Sequence, residues 1–337
     1  MKKPTNSNVT MRDVATAAGV SVAAVSKALN NKADISNDLR KKIFDVCDEL
    51  DYKVNISIQD LVRKGRNGST KNIAFIIVRS DFADPAYSRA IDGVSQAAQK
   101  HGLHLILDRM QGDEQSIYDL PPILRDGRVD GIVLTGDITA NAVSTLKKLY
   151  VPYVILGSYS NKITESCVNV QMNTEIELEL MVRELKENGK KRIAYFSENP
   201  DNYYERDGLN YFKSALIEND LPVFDDLIYF GTGRFSGTTK AIEKIFLQKE
   251  LPFDSIVCLN FRVAQEISHL VMAYYGIGNR PKVTIGTLRP FDYYSLSVPA
   301  VYRDMYFDQV AYEGLDILVD IIAGKRKNVT KKIMLNP

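Results

Sequence analysis

From Lys71 onward, short apolar runs alternate with longer amphipathic segments, and this grammar restricts the possible folds more than any other feature of the chain. Asn72–Val78 (NIAFIIV) reads as a fully buried strand, followed by a helix over Pro85–Lys100. Residues 103–107, 131–134 and 153–156 are further apolar runs, with helical stretches near 114–125 and 140–149. The second half repeats the pattern. Residues 192–196, 227–230, 255–259 and 283–285 read as strands, spaced by helices near 174–188, 204–219, 236–249 and 262–275. Continuous apolar strands alternating with helices imply parallel sheets covered on both faces. Two such series imply an α/β body of two doubly wound subdomains, with ligands expected at the carboxyl ends of the strands where the subdomains face.

The polar stretch 158–166 suggests a junction, so that Cys167 opens the second series. Residues 300–302 and a long helix over 304–323 come late for the regular order of a second sheet, which suggests that the chain crosses back. The expected division is a first subdomain of about 71–166 plus 299–324 and a second of about 167–298 plus 325–337.

The first 66 residues differ in charge from the rest. They carry 12 basic and 8 acidic side chains, whereas the whole chain, with 43 and 42, has a formal net charge of +1. A small basic head on a neutral body points to anionic partners for the head. Thr10 can cap a helix at residues 11–18, with Asp13 at its third position. Gly19 supplies the φ freedom of a tight turn. Ser21 can cap a second helix at 22–29, and Ser36 a third in which Leu39, Ile43, Val46 and Leu50 share one face. Val14, Ala15, Ala18, Val20, Val25 and Leu29 would form the core between them. Three short helices with a glycine turn between the first two describe a DNA-binding helix-turn-helix, although a plain helical mini-domain has the same spacing.

Other function classes find little support. Cys47, Cys167 and Cys258 are far apart, so neither a disulfide framework nor a zinc knuckle is expected. The polar start has no secretory apolar stretch, and no apolar run approaches the roughly 20 residues that span a bilayer, which leads us to expect a soluble cytoplasmic protein. The loop Gly231-Thr232-Gly233-Arg234-Phe235-Ser236 follows a strand but lacks the third glycine of a dinucleotide fingerprint. His101 and His104 straddle a helix end without a third ligand, and His269 lies within an amphipathic helix. No nucleophile–base pair assembles, so neither a metal, a cofactor nor an enzyme activity is expected. The alternative from another class is an α/β enzyme that handles nucleotides or sugars.

The residues of the head match a family. Val9-Thr10-Met11-Arg12-Asp13-Val14-Ala15, Ala18-Gly19-Val20-Ser21 and Val25-Ser26-Lys27-Ala28-Leu29-Asn30, continuing through Leu50-Asp51-Tyr52 and Asn55, resemble the lactose-repressor family of bacterial transcription regulators. Asp130-Gly131-Ile132 and Val151-Pro152-Tyr153-Val154 extend the resemblance to the family's periplasmic-binding-protein-like sensor. The resemblance implies a homodimer reading a pseudo-palindromic operator, and the expected role is that of a repressor. It implies a helix-turn-helix over 1–54, a hinge helix and linker over 55–70, and an effector-binding, dimerising body over 71–337. Because the chain stops at Pro337, no tetramerising coiled coil is expected.

By the same resemblance, Val22, Ala23 and Lys27 are the specificity positions. The first two can read only shape and thymine methyls, while Lys27 can donate to guanine or merely touch phosphate. Thr10, Ser21, Ser26 and Asn30 are implied phosphate or register contacts. Asn55 would cap the hinge helix and Leu61 would wedge into the minor groove, unstacking a flexible step. Val54 in place of the usual proline and Ile58 in place of a small residue depart from the hinge pattern, and an ordinary linker is the alternative.

The implied effector, a sugar or related metabolite, would lie between the subdomains near Tyr87, Asp137, Tyr203, Tyr204, Arg206, Asp207, Asn260, Phe261 and Arg289. Here too the chain departs from its family. Asp207 stands where the family's arginine is expected, and Leu288 and Met172 stand at acidic positions. Lost polar anchors suggest an unusual effector, a tyrosine-lined cleft, or no small effector, because a hydroxyl-rich sugar needs paired groups.

Overall fold

In the computed structural model of the protein, residues 9–29, 35–50, 69–80, 82, 84–165, 167–197, 199, 201–231, 240–276, 279–326 and 331–336 are described. They fall into two compact units, 1–70 and 71–337.

The first unit is the three-helix head: α1 (Met11–Ala18), α2 (Val22–Leu29) and α3 (Asn37–Glu49). Its core is Val14, Ala15, Ala18, Val25, Ala28, Ile43 and Cys47, with Val20 and Leu39 packed alongside. The side chain of Leu29 lies outside the described residues. Gly19 turns the chain at φ 68°, and the Val20 amide closes the turn by donating to the Ala15 carbonyl at 2.9 Å.

The body runs β1 (Asn72–Val78), α4 (Pro85–Lys100), β2 (His104–Met110), α5 (Pro122–Arg125), β3 (Gly131–Gly136), α6 (Ala140–Lys147), β4 (Tyr153–Leu156), α7 (Asn161–Thr164) and β5 (Val168–Met172). It continues with α8 (Thr174–Glu187), β6 (Ile193–Ser197), α9 (Tyr203–Glu218), β7 (Ile228–Phe230), α10 (Lys240–Glu243) and β8 (Ser255–Cys258). Then follow α11 (Phe261–Tyr275), β9 (Thr284–Arg289), β10 (Ala300–Asp304), α12 (Phe307–Ile322) and β11 (Lys331–Leu335). Two parallel sheets result, in the orders β11-β5-β4-β3-β1-β2 and β10-β9-β8-β6-β7. The predicted pair of doubly wound sheets is present.

The strand memberships correct the expected subdomain boundaries. β5 does not open the second sheet. It pairs with β4 (Val154↔Val168), and the buried Asn169 Nδ2 donates to the carbonyls of Ile155 and Gly157 at 3.1 and 2.7 Å. The polar stretch before it is an ordinary connection within one sheet. β10 joins the second sheet beside β9 (Ala300↔Ile285), so the chain crosses back after residue 304 rather than before it. β11 pairs with β5 and belongs to the first sheet. Apolar runs reveal strands, but two adjacent parallel sheets draw on identical runs, and only pairing assigns each strand.

Two expected helices are also shorter. The stretch 114–125 breaks into a 3-10 turn at Ile117–Asp119 and the single turn α5, because Pro121 and Pro122 lack the amides a continuous helix would use. Within 236–249, the described residues form only α10 and a 3-10 turn at Ile245–Leu247. Among the described residues, no helix is long and apolar enough to cross a membrane, and no group of His, Cys, Asp or Glu is placed to hold a metal ion.

Candidate functional site

The head presents one face of α2. Val25 and Ala28 turn inward, while Val22 (41% exposed), Ala23 and Lys27 turn outward with the half-buried Ser26 beside them. Positions 22, 23, 26 and 27 follow helical periodicity, so burial of one side leaves the other for a ligand. Both helix starts are capped locally. The Asp13 amide donates to Thr10 Oγ1 at 3.4 Å, while Asp13 Oδ2 accepts from the Thr10 amide at 2.7 Å and from its hydroxyl at 2.6 Å. These bonds hold the Asp13 carboxyl below its usual range. Ser21 Oγ accepts from the Ala24 amide at 3.1 Å, fixing the first turn of α2, the turn expected nearest the bases. The structure therefore gives Thr10 and Ser21 a capping role beside any phosphate contact. Asn30, Asn55 and Leu61, together with the hinge departures at Val54 and Ile58, lie outside the described residues.

In the body, a cavity of about 230 Å³ opens at the carboxyl ends of both sheets. Strand ends contribute Thr135–Asp137, Leu156–Tyr159, Gln171, Met172, Leu259 and Pro290, and helix starts contribute Asp84–Tyr87, Asn202, Tyr204, Glu205, Asn260–Arg262 and Phe307. Three long helices begin at its wall, each capped by a side chain of the cavity. Asp84 accepts from the Ala86 amide at 2.9 Å, Asn202 from Tyr204 at 2.8 Å, and Asn260 from Arg262 at 2.9 Å. The capping acceptor is specified by the helix, and its position puts it at the strand ends.

Of the nine expected effector residues, Tyr87, Asp137, Tyr204, Asn260 and Phe261 line this cavity. Tyr203, Arg206, Asp207 and Arg289 do not. Arg206 is exposed, and its guanidinium lies 5.8 Å from the ring centre of Tyr203 on the same helix. Asp207 is partly buried away from the cavity, which raises its pKa against the opposing pull of Lys332 and Arg206. Arg289 is tied to Asp304 at 2.8 Å, to the Asp292 carbonyl at 2.8 Å and to the ring of Tyr302 at 5.2 Å. For the residues of α9 the reason is helical phase: the helix turns 204 and 205 toward the cavity, and 206 and 207 away. Gly208, the next inward position, lies against Leu259 and Tyr195.

Glu205, only 7% exposed, was not among the expected residues, nor were Tyr159, Gln171, Asn202 and Arg262. Phase alone would have pointed to Glu205. Tyr159 and Gln171 depend on which strands are neighbours. The Tyr159 hydroxyl donates to the Gly136 carbonyl, and burial pushes its pKa well up. Arg262 is paired with Glu266 at 2.8 Å, and Asp137 lies 3.6 Å from Arg79. Met172 lines the cavity as an apolar wall, whereas Leu288 is fully buried in the core.

Comparison with known proteins agrees with both regions. Residues 10–55 match the family described as bacterial regulatory proteins, lacI family, and residues 70–288 match periplasmic binding proteins and sugar binding domain of LacI family. The chain is 29% identical over 249 residues to catabolite control protein A of Priestia megaterium, covering 73% of this chain and 72% of that protein. It is 26% identical over 262 residues to the Staphylococcus xylosus protein of the same name, covering 77% and 76%. A solved transcriptional regulator CelR–cellobiose complex shares the fold with a TM-score of 0.68 at 20% identity, over 97% of both chains. The lac repressor dimer bound to operator and the anti-inducer ONPF superposes with a TM-score of 0.64 at 17% identity, over 98% of this chain and 97% of that one. A head and a body that each match their own part of one architecture leave the enzyme alternative without support: the chain belongs to the LacI family of DNA-binding transcriptional regulators.

Proposed function

We propose that the protein is a cytoplasmic, dimeric repressor whose paired heads read a pseudo-palindromic operator and whose body responds to an uncharged, hydroxylated small molecule in the cavity. The observation that carries the DNA reading is the outward face of α2. Its small and apolar residues Val22 and Ala23 fit close approach to base edges and thymine methyls, and Lys27 supplies a donor for guanine O6 or N7. A related fold solved as a dimer on operator supports the dimeric arrangement, and one solved with cellobiose supports a carbohydrate-like effector.

The charge balance of the cavity supports an uncharged ligand. Asp84, Asp137 and Glu205 line it, but Asp137 faces Arg79 and three helix amino-termini converge on the wall. Each such terminus acts as roughly half a positive charge. Arg262 is offset by Glu266. The opposing contributions nearly cancel, leaving hydroxyl, amide and carboxylate groups between the rings of Tyr87, Tyr159, Tyr204 and Phe261. This is chemistry for hydroxyls and flat apolar sugar faces rather than for phosphates. Ligand-driven closure of the subdomains would shift the spacing of the heads, coupling the two sites through a two-state body.

The test is retention of genomic fragments on the full chain, followed by footprinting and sedimentation. A symmetric footprint bound by a dimer, weakened steeply by salt, is expected; a monomer that retains no fragment overturns the reading. A parallel thermal-shift series should respond to neutral sugars and not to their phosphates. A response confined to the phosphates contradicts the assignment of the cavity.

A further inference from the structure

The two subdomains are joined covalently near Asn173 and near residues 305–306, and at the rim of the cavity one side chain spans them. Arg89 projects from α4 of the first subdomain. Its Nε is held by Asp308 Oδ1 of α12, also in the first subdomain, at 2.8 Å. Its Nη1 donates across the cleft to the Pro290 carbonyl, directly after β9 of the second subdomain. The same guanidinium lies 5.7 Å from the ring centre of Phe291. Only 17% of the Arg89 side chain remains exposed, so water screens these contacts poorly.

We propose that Arg89 is a latch between the subdomains, which sets the closed-to-open balance of the cleft whatever ligand the cavity takes. The planar fork suits this task. One edge is fixed to its own subdomain by the carboxylate, so the other edge reaches the carbonyl already oriented. The anchor is itself firmly placed: a Cβ at Gly93 of α4 would come within 1.9 Å of the Asp308 carbonyl oxygen, so α4 and α12 are in backbone contact there. By contrast, the contacts to Pro290 and Phe291 involve a loop of the other subdomain and are lost if the cleft opens. Pro290 lines the cavity, as do Pro85, Ala86 and Tyr87 in the turn before Arg89. A ligand that contacts these residues would touch both sides of the latch, and any change in the latch alters the population competent to bind.

The test reads the inter-subdomain distance without a ligand. Cys47, Cys167 and Cys258 are all buried, so spin labels can be directed to cysteines introduced at two exposed sites, Ser144→Cys on α6 and Ile217→Cys on α9. Labelled full chain is diluted into unlabelled chain, so that distances within one protomer dominate. Arg89→Ala should lower the closed-to-open ratio about tenfold, the equivalent of one charge-assisted hydrogen bond, seen as a longer and broader distance distribution. Arg89→Lys keeps the charge but not the fork and should give a smaller shift in the same direction, as should Asp308→Asn. If Arg89→Ala does not fold, the two milder variants decide the matter. Distributions that coincide with the parent's in every folded variant overturn the latch.

Discussion

The head and the cavity reach their functional surfaces by opposite routes. In the head, each decisive group acts within five residues of its partner: Thr10 with Asp13, Ser21 with Ala24, Ala15 with Val20 across Gly19. The outward face of α2 is what remains after Val25 and Ala28 are buried. The cavity is assembled from strand ends and helix starts as distant as Ser80 and Phe307, and its shape depends on which strands are neighbours. A local surface can be read from spacing, whereas an assembled one needs the topology.

This contrast predicts separable failures. Ile43 is fully buried in the core of the head. Ile43→Ala should destabilise the head by about 2–5 kcal/mol, the range for a cavity of that size. Denaturation followed by helical signal should then show an early transition and lost operator retention, with the melting of the body unchanged. A single shifted transition for the whole chain would break the comparison. The converse variant is Gly208→Ala, whose new Cβ would lie 2.3 Å from Leu259 Cδ1 and 2.8 Å from the Tyr195 hydroxyl. Overpacking of this kind costs about 1–3 kcal/mol. Calorimetry should show the body melting earlier and the head unaffected.

How much was legible follows the same division. The capping box at Thr10, the turn at Gly19 and the inward positions of α1 could all be stated from the residues. So could two doubly wound sheets, since NIAFIIV and its counterparts admit few other settings. The assignment of β5, β10 and β11 could not, because adjacent parallel sheets use interchangeable apolar strands. In the cavity, Tyr87, Asp137, Tyr204, Asn260 and Phe261 were implied by the family resemblance, and all five line the wall. Arg206 and Asp207 lie one helical phase off the cavity wall, whereas Glu205, in phase with Tyr204, lines it. Arg289 lies off the cavity lining, and its pairing with Asp304, on a neighbouring strand and fifteen residues away, could not be read from spacing.

Smaller effects sharpen the picture of the head. Ser21→Ala removes the acceptor for the Ala24 amide. Loss of such a cap costs about 1 kcal/mol of helix stability. Amide exchange should quicken in the first turn of α2 and remain unchanged in α3. Smaller still is a dependence on pH. The Asp13 carboxyl is held below its usual value by Thr10, so its contribution is complete above the unfolded pKa and is lost as pH falls through the lower folded one. An NMR titration of Asp13 should give a depressed midpoint that Thr10→Ala moves back up toward the ordinary carboxylate value. A midpoint unmoved by that substitution would remove the capping box from the account.

The central claim, that α2 reads base sequence, is tested most directly by one pair of titrations with Lys27→Ala, on a selected operator and on random duplex at the same salt concentration. The account predicts that operator affinity falls by about 5- to 150-fold, the 1–3 kcal/mol of a base-edge contact, while affinity for random duplex changes little. Equal losses on both duplexes would make Lys27 a phosphate contact and contradict the claim.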